Sequence, residues 1–439
     1  MSEQQFHQTT DGSSRSETPF SSRKQEIPLY CSEIEIGDLD DEITPISDLG
    51  GNVYSFATDE EDELVRNEKG SISNTLRTIS CRTNVPEYEI NLDLPPNERW
   101  TNLVDDYKEK FPALIKFLEG EMNDVLGGGI RATFAKTFLN MIFNVFTNSG
   151  AVYYSQELKA VAQQANLPLG LLAFMQLSYE LFACCTSVVK ENSDGFPIHV
   201  RTMDWAMDLL KEYTVQLNFT RNGKTLFKAS SWAGYLGVLT GCRPNGFSIS
   251  INFRSTEDGH FGKNIIKTIT RGWPISFLVR ETLQDCETYS HAVAILKNSK
   301  LIAPVYITVA GCKKGEGTII TRQRETFSSD NYLISLQDLH NNTQISKQYY
   351  LKEANAMIQA NADWWKSLKE IKDQCNILLS SERLSKAFKH LKKMPQELTT
   401  IDSVTDMFSK YGNYPLKNET TIYITAMNPS NGDYATILV

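Results

Sequence analysis

Alternation of apolar and polar residues dominates the chain after residue 183. Val215, Leu217 and Phe219 alternate with polar neighbours before Asn222-Gly223, a dipeptide that favours a tight hairpin turn, so residues 225–229 read as the returning strand. Phe247, Ile249, Ile251 and Phe253 alternate with Ser248, Ser250 and Asn252, which is strand periodicity. Residues 305–310 and 318–321 form a second hairpin across a Lys-Lys-Gly-Glu-Gly turn, and residues 422–426 and 435–439 a third, around Asn428 to Asp433. Two further apolar runs, 185–189 and 197–203, enclose Asn192-Ser193-Asp194-Gly195, whose residue types make turns.

Helical spacing fills the intervals. Ile90, Leu92 and Leu94 alternate, and Arg99-Trp100 then opens a helical region. Phe134, Phe138, Met141, Ile142 and Val145 make an apolar stripe, which fits either a core-facing helix or a surface that touches lipid; spacing alone does not separate the two. Tyr289, Ala292, Val293 and Leu296 form one further helical face, and Leu384, Phe388 and Leu391 another. Repeated hairpins with helices between them predict an α+β fold of stacked antiparallel sheets covered by helices.

Charge divides the chain in two. Residues 1–85 hold 17 Asp+Glu against 7 Lys+Arg, with the run Asp59 to Glu63, and too few apolar residues to offset the entropy of ordering; they read as a disordered acidic tail. The other 354 residues carry 37 basic and 36 acidic residues, so no basic footprint points to nucleic acid. The eight cysteines contain no Cys-x-x-Cys pair and the six histidines are scattered, so neither a metal site nor a cofactor is expected. No apolar stretch reaches the roughly 20 residues of a membrane span, and the first residues lack the charged and apolar regions of a signal peptide, which points to the cytoplasm.

The chemistry gathers around the 185–203 hairpin. A turn centred on Ser193 sets Cys185 opposite Arg201, and a guanidinium beside a thiol favours the thiolate. Asp204, three residues on, points to the other face of a regular strand. His199 shares Arg201's parity and, with no partner ligand in sequence, reads as structural. Trp232 and Tyr235 are candidates to line an apolar groove, or core aromatics.

Cys-Thr-Ser-Val-Val (185–189), His-Val-Arg-Thr-Met-Asp-Trp (199–205) and Phe-Lys-Ala-Ser-Ser-Trp-Ala-Gly-Tyr-Leu-Gly-Val-Leu-Thr-Gly (227–241) resemble the acid ceramidase family of N-terminal-nucleophile (Ntn) hydrolases. The resemblance runs on through Asn91 to Pro96, Arg99-Trp100, Gly315 to Arg322 and Gln359 to Lys366, and so spans about residues 86–439. It implies an αββα sandwich made as a precursor and cut between Cys184 and Cys185. Residues 86–184 would then be a helical α-subunit and 185–439 a catalytic β-subunit, held as an α/β heterodimer. It further implies Cys185 as nucleophile and new N-terminus, Arg201 and Asp204 as the pair that orients it, Asn361 as oxyanion donor, and Arg383 as the second arginine.

The substrate so implied is a lipid amide, met at a transient membrane-surface contact. Ceramide, cleaved to sphingosine and fatty acid, leads; an N-acylethanolamine is the alternative, and a catalytically silent relative that binds lipid or protein the third reading. Three departures stand out. The stretch between Asp204 and Thr214 is shorter than in the family, the Asn361-to-Arg383 interval is longer, and the family cysteine after the second arginine has no equivalent near His390. The family works in the lysosome, against the cytoplasmic expectation drawn from the first residues.

Overall fold

The computed structural model describes residues 82–125, 153–177, 184–254, 273–324, 333–340, 356–363, 379–410 and 413–439, with isolated positions from 129 to 150 and Trp365. The acidic tail expected over 1–85 falls mostly on residues 1–81, outside the described part. Residues 82–85 lie against the C-terminal strand and helix, where Arg82 pairs with Asp402 at 3.0 Å and Asp406 at 2.9 Å and the Leu438 N–H donates to Asn84 Oδ1 at 2.7 Å.

Thirteen described strands form two sheets. The larger runs in the order β1 (Glu87–Asn91), β4 (Thr214–Arg221), β5 (Lys224–Trp232), β6 (Thr240–Arg243), β7 (Phe247–Phe253), β8 (Val305–Gly311), β9 (Gly317–Arg322) and β10 (Leu333–Ser335). The smaller runs β11 (Ala356–Gln359), β2 (Cys184–Glu191), β3 (Pro197–Asp204), β12 (Thr421–Asn428) and β13 (Asp433–Leu438). Every pairing is antiparallel except that of β1 with β4, since β1 reaches the sheet from across the first helices and parallel neighbours need such a crossover. The β4–β5 turn is the tight one predicted, with Asn222 at φ 52° and Gly223 at φ 69°, both in the left-handed region such a turn requires.

Helices cover the outer faces. On the large sheet lie α1 (Thr101–Tyr107), α2 (Phe111–Val125), α3 (Ser155–Gln164), α4 (Leu169–Met175), the short α5 (Leu210–Tyr213), α6 (Ile275–Asp285) and α7 (Tyr289–Asn298), whose buried apolar residues join Val215, Phe219, Ile249 and Ile307 in one cluster. On the other side α8 (Leu336–His340), α9 (Ser380–Lys393) and α10 (Ile401–Ser409) bury Leu336, Leu384, Leu391, Val404 and Phe408 with Val188, Val200, Ile358 and Ile424. The result is the predicted αββα sandwich. Of the Phe134–Val145 stripe, Met141 and Val145 are the described side chains, and both are exposed, at 54% and 61%; Phe134, Phe138 and Ile142 lie outside the described residues.

Between the sheets the layer is polar. A strand that alternates polar and apolar residues usually turns its polar face to water, yet Ser248, Ser250 and Asn252 of β7 are fully buried against β2 and β3. Ser187 Oγ lies 2.7 Å from both Ser250 Oγ and Asn252 Oδ1, and the two His199 ring nitrogens lie 3.0 and 2.8 Å from Ser248 and Ser250 Oγ. Hydrogen bonding makes this burial tolerable, because an unpaired buried polar group costs about 1–3 kcal/mol.

Candidate active site

The β2–β3 hairpin turns one position later than the sequence reading placed it. Asn192 Oδ1 accepts from the backbone N–H groups of Asp194 and Phe196, its own N–H donates to the Phe196 carbonyl, and Gly195 takes φ 84°. This side-chain-closed loop centres the hairpin on Asp194, so Cys185 faces Met203, and Ser187 faces Arg201. The expected opposition of Cys185 and Arg201 becomes a diagonal. Shifting the centre by a whole residue preserves parity, so Cys185, Ser187, Arg201 and Met203 still share the face between the sheets.

Arg201 spans that diagonal. Its Nη2 lies 3.0 Å from Cys185 Sγ and donates to the Ile251 carbonyl at 3.1 Å, while Nη1 donates to the Tyr423 hydroxyl at 3.0 Å. Cys185, Arg201 and Tyr423 are fully buried. A guanidinium this close to a thiol stabilises the thiolate over the thiol. Burial pushes the Tyr423 phenol upward, with Arg201 and Thr240 opposing, so Tyr423 stays a neutral hydroxyl against the guanidinium.

A second group meets Cys185 along its backbone. The Cys185 N–H donates to Asn361 Oδ1 at 2.9 Å, and Arg383 Nη2 donates to the same oxygen at 2.8 Å. Asn361 Nδ2 donates to the Phe253 carbonyl at 2.8 Å. Both Asn361 orientations are thereby decided, since two donors meet its oxygen and a carbonyl meets its nitrogen. Arg383 Nη1 donates to Thr186 Oγ1 at 2.8 Å and to the Cys185 carbonyl at 2.5 Å. The long interval before Arg383 notwithstanding, the first turn of α9 returns this arginine to Cys185.

Asp204 ends β3 on the face opposite Arg201, across from Cys184, as its parity requires. The register of β12 shifts between Thr421 and Tyr423 beside it. Its carboxylate accepts from Thr421 Oγ1 at 2.8 Å and Thr202 Oγ1 at 3.2 Å and faces Arg383 Nη1 at 3.8 Å. Burial raises this carboxyl above the usual carboxylate range, with Arg383, Thr421, Arg201 and Thr202 pulling the other way. Trp232 and Tyr235 are both buried in the large core cluster; Trp232 packs edge-on to Trp205 and Tyr235 and at a tilt to Tyr423, one contact away from Arg201.

His199, two residues from Arg201, is buried between two serines, and burial, then the Arg201 charge, push its imidazole down to about 3. It therefore stays neutral in the folded state, while the unfolded histidine takes a proton near 6.5. Its contribution to stability is full above pH 6.5 and is lost as the pH falls from 6.5 toward 3. At pH 5 the loss is about 2 kcal/mol. Urea unfolding at pH 7 and pH 5 should show that much less acid sensitivity in His199→Asn than in the parent; an unchanged difference between the two pH values would exclude a neutral buried imidazole.

Two family models match the chain on either side of the Cys184–Cys185 bond. The beta subunit of N-acylethanolamine-hydrolyzing acid amidase matches residues 83–146, and linear amide C–N hydrolases of the choloylglycine hydrolase family match residues 185–329. Acid ceramidase of Heterocephalus glaber is 32% identical over 371 residues, covering 81% of this chain and 86% of that protein. The chain belongs to the acid ceramidase family. An N-acylethanolamine-hydrolyzing acid amidase of Caenorhabditis elegans is 30% identical over 360 residues, covering 79% of this chain and 90% of that protein. A solved structure of a Caenorhabditis elegans ortholog of that amidase covers 58% of this chain and 100% of its own, at 31% identity and a TM-score of 0.47. Family membership and the linear-amide-hydrolase match make the chain an amide-hydrolysing enzyme, and its two stacked sheets between helices are the αββα sandwich of the Ntn hydrolases.

Two residues that hold the Cys185 cluster escaped the sequence reading. Asn252 Nδ2 donates to the Cys185 carbonyl at 2.9 Å, and Tyr423 holds Arg201. Asn252 was visible as a polar position in an alternating strand, but alternation does not say that the polar face is covered by a second sheet. Tyr423 sits among β-branched and aromatic residues with nothing in its local sequence to mark it.

Proposed function

We propose that this enzyme is a self-processing hydrolase whose nucleophile is Cys185 and whose substrate is a ceramide-like lipid amide, cleaved to a sphingoid base and a fatty acid. The observation that carries the reading is the double engagement of Cys185: its Sγ lies 3.0 Å from the Arg201 guanidinium, while its N–H lies 2.9 Å from Asn361 Oδ1. Thiol and backbone nitrogen are thus separately held, which is what a residue that serves as both nucleophile and base needs.

In the precursor the Cys185 sulfur adds to the Cys184 carbonyl. The C–N bond breaks, the nitrogen leaves as an amine, and a thioester joins Cys184 to Cys185 Sγ. Water then adds to the thioester, releasing the Cys184 carboxylate and restoring the thiol. Cys185 is fully buried while its nitrogen is still a peptide, so processing comes before turnover. Beginning the second chain at Cys185 also agrees with the residue at which the linear-amide-hydrolase match starts.

Once free, the α-amine, with a reference pKa of about 7.7–8.0, takes the thiol proton, and Arg201 holds the thiolate. Attack on the lipid amide gives a tetrahedral oxyanion; the ammonium protonates the departing amine, and water hydrolyses the acyl thioester. Asn361 Oδ1 anchors the amine throughout. Its Nδ2 serves as the oxyanion donor by exchanging the Phe253 carbonyl for the substrate oxygen, and losing such a donor typically costs about 10² to 10³ in rate. Asp204 and Arg383 act from the other face, Arg383 by bridging Asn361 and Asp204. Trp232 and Tyr235 form the packed wall behind Tyr423 toward the acyl chain.

N-acylethanolamine hydrolysis is the second reading, because relatives carrying both activities in their names match at similar identity. Intact mass under denaturing, reducing conditions, followed by release of fatty acid from N-acylsphingosine and from an N-acylethanolamine side by side, tests both. The expected result is two chains, the second beginning at Cys185, and faster cleavage of N-acylsphingosine. Preference for the ethanolamide would favour the second reading, and one uncut chain inert toward both lipids would point to a silent binding relative.

A further inference from the structure

Three consecutive residues at the end of β7 reach across the sandwich to the turn that carries Asn361. Asn252 Nδ2 donates to the carbonyls of Gln359 at 3.0 Å and Ala360 at 3.2 Å. The Phe253 carbonyl accepts Asn361 Nδ2 at 2.8 Å. Arg254 Nε donates to Asp363 Oδ1 at 2.8 Å, and the same oxygen accepts from the Tyr306 hydroxyl at 2.7 Å. Tyr306 stands directly opposite Asn252 in the β7–β8 pairing, so all these anchors rise from one spot on the large sheet.

The turn needs them. Among the described residues β11 is the edge strand of the small sheet, and its ladder ends at Gln359, two residues before Asn361. Residues 360–363 therefore lie beyond the last ladder pair, where a chain opens more readily than inside a sheet. Arg254 is 6% exposed and the Asp363 side chain 13%, so the bond between them is charge-assisted and largely shielded from water. It grips the turn two residues after Asn361, leaving Asn361 between two fixed points: Asp363 on Arg254, and Gln359 with Ala360 on Asn252.

We propose that Arg254, acting through Asp363, is a positioning residue for Asn361, and through it for the Cys185 amine. The catalytic part of this assignment rests on the amide-hydrolysis reading above; the mechanical part does not. Displacing a reacting group by about 1 Å costs on the order of 10²-fold in rate, so Arg254→Met should lower kcat by up to about 10²-fold with little change in KM. Tyr306→Phe, which keeps the ring and removes one of the two bonds to Asp363, should cost about tenfold and stands in should Arg254→Met fold poorly.

The deciding measurement is a double-mutant cycle. In an Asn361→Ala background the same substitutions should change kcat by less than about twofold, because the residue they position is gone. A merely structural role would give the same fold-loss in both backgrounds and would overturn the assignment, as would a kcat that Arg254→Met leaves unchanged. Hydrogen exchange reads the mechanical part without reference to turnover. In Arg254→Met, peptides covering 356–363 should exchange about tenfold faster while β12 keeps its protection. Unchanged exchange there would overturn the strut itself, whereas a parent enzyme inert toward lipid amides would overturn the proposed reaction and leave the exchange result to decide the strut.

Discussion

Replacing Cys185 by Ala should yield one uncut chain with no amide hydrolysis. Both outcomes follow from one atom, since in the proposed reaction the sulfur that attacks the Cys184 carbonyl in the precursor is the sulfur that attacks the substrate afterwards. Loss of a nucleophile from a catalytic unit typically costs about 10⁶ in kcat, far beyond what any supporting bond contributes. The fold should survive. Cys185 is a fully buried small side chain, and trimming one atom from a core costs about 1 kcal/mol, a fraction of ordinary domain stability. Intact mass, fatty-acid release and thermal melting on the same preparation separate the effects. Hydrolysis that persisted in a normally folded Cys185→Ala protein would remove Cys185 from the nucleophile role, and a cut chain would remove it from processing. Cys184→Ala is the control, because it alters the residue on the other side of the bond and leaves the attacking sulfur intact.

How much of this site was legible in sequence depends on the range over which each contact is encoded. The β2 and β3 strands, their common face and the nearness of Arg201 to Cys185 follow from local alternation and turn chemistry, which is why they could be read. The register could not be read reliably, because Asn192 closes its own loop with its side chain and moves the centre from Ser193 to Asp194. Parity protected the conclusion: a displacement of the pairing by two positions turned a direct pair into a diagonal one without sending either side chain to the other face. Asp204 illustrates the opposite limit. Its parity placed it on the far face, as found, but nothing in its neighbourhood announces Arg383, which arrives from a helix 179 positions later in the chain to lie 3.8 Å from it.

Asn361 and Arg383 became visible only through family resemblance, for neither spacing nor composition marks an asparagine in a turn or an arginine in a helical first turn. The polar layer between the sheets was hidden for a related reason. Alternation in β7 reports two faces of different polarity, and solvent is the ordinary explanation for the polar one. Here Ser248, Ser250 and Asn252 instead meet His199, Ser187 and the Cys185 carbonyl. A reading that assigns polar strand positions to water will miss any enzyme whose site is built between two sheets.

The second large effect lies in the contact that joins the segments before and after the Cys184–Cys185 bond. Glu157 on α3 is buried and accepts four donors: Arg280 Nη1 at 2.8 Å and Nη2 at 2.9 Å, Trp100 Nε1 at 2.6 Å and Arg99 Nη1 at 2.8 Å. Arg280 on α6 is fully buried, lies 3.9 Å over the Tyr154 ring and donates to the Leu236 carbonyl at 3.1 Å. Burial alone would raise the Glu157 carboxyl; the charge and bonds of Arg280, with those of Trp100 and Arg99, hold it below its ordinary value, so it is charged. Glu157→Ala would leave the Arg280 guanidinium buried without its counter-charge, which costs about 3–5 kcal/mol. The paired change Glu157→Met with Arg280→Met removes both charges and should cost far less, because the desolvation penalty leaves along with the attraction. Glu157 precedes the Cys184–Cys185 bond and Arg280 follows it, so in the processed enzyme the single substitution weakens a bond between chains. Native mass spectrometry of cut protein should then show free chains for Glu157→Ala and an intact pair for both the parent and the double variant. Equal destabilisation by the single and double changes would mean that shape, and not charge, holds the two segments together.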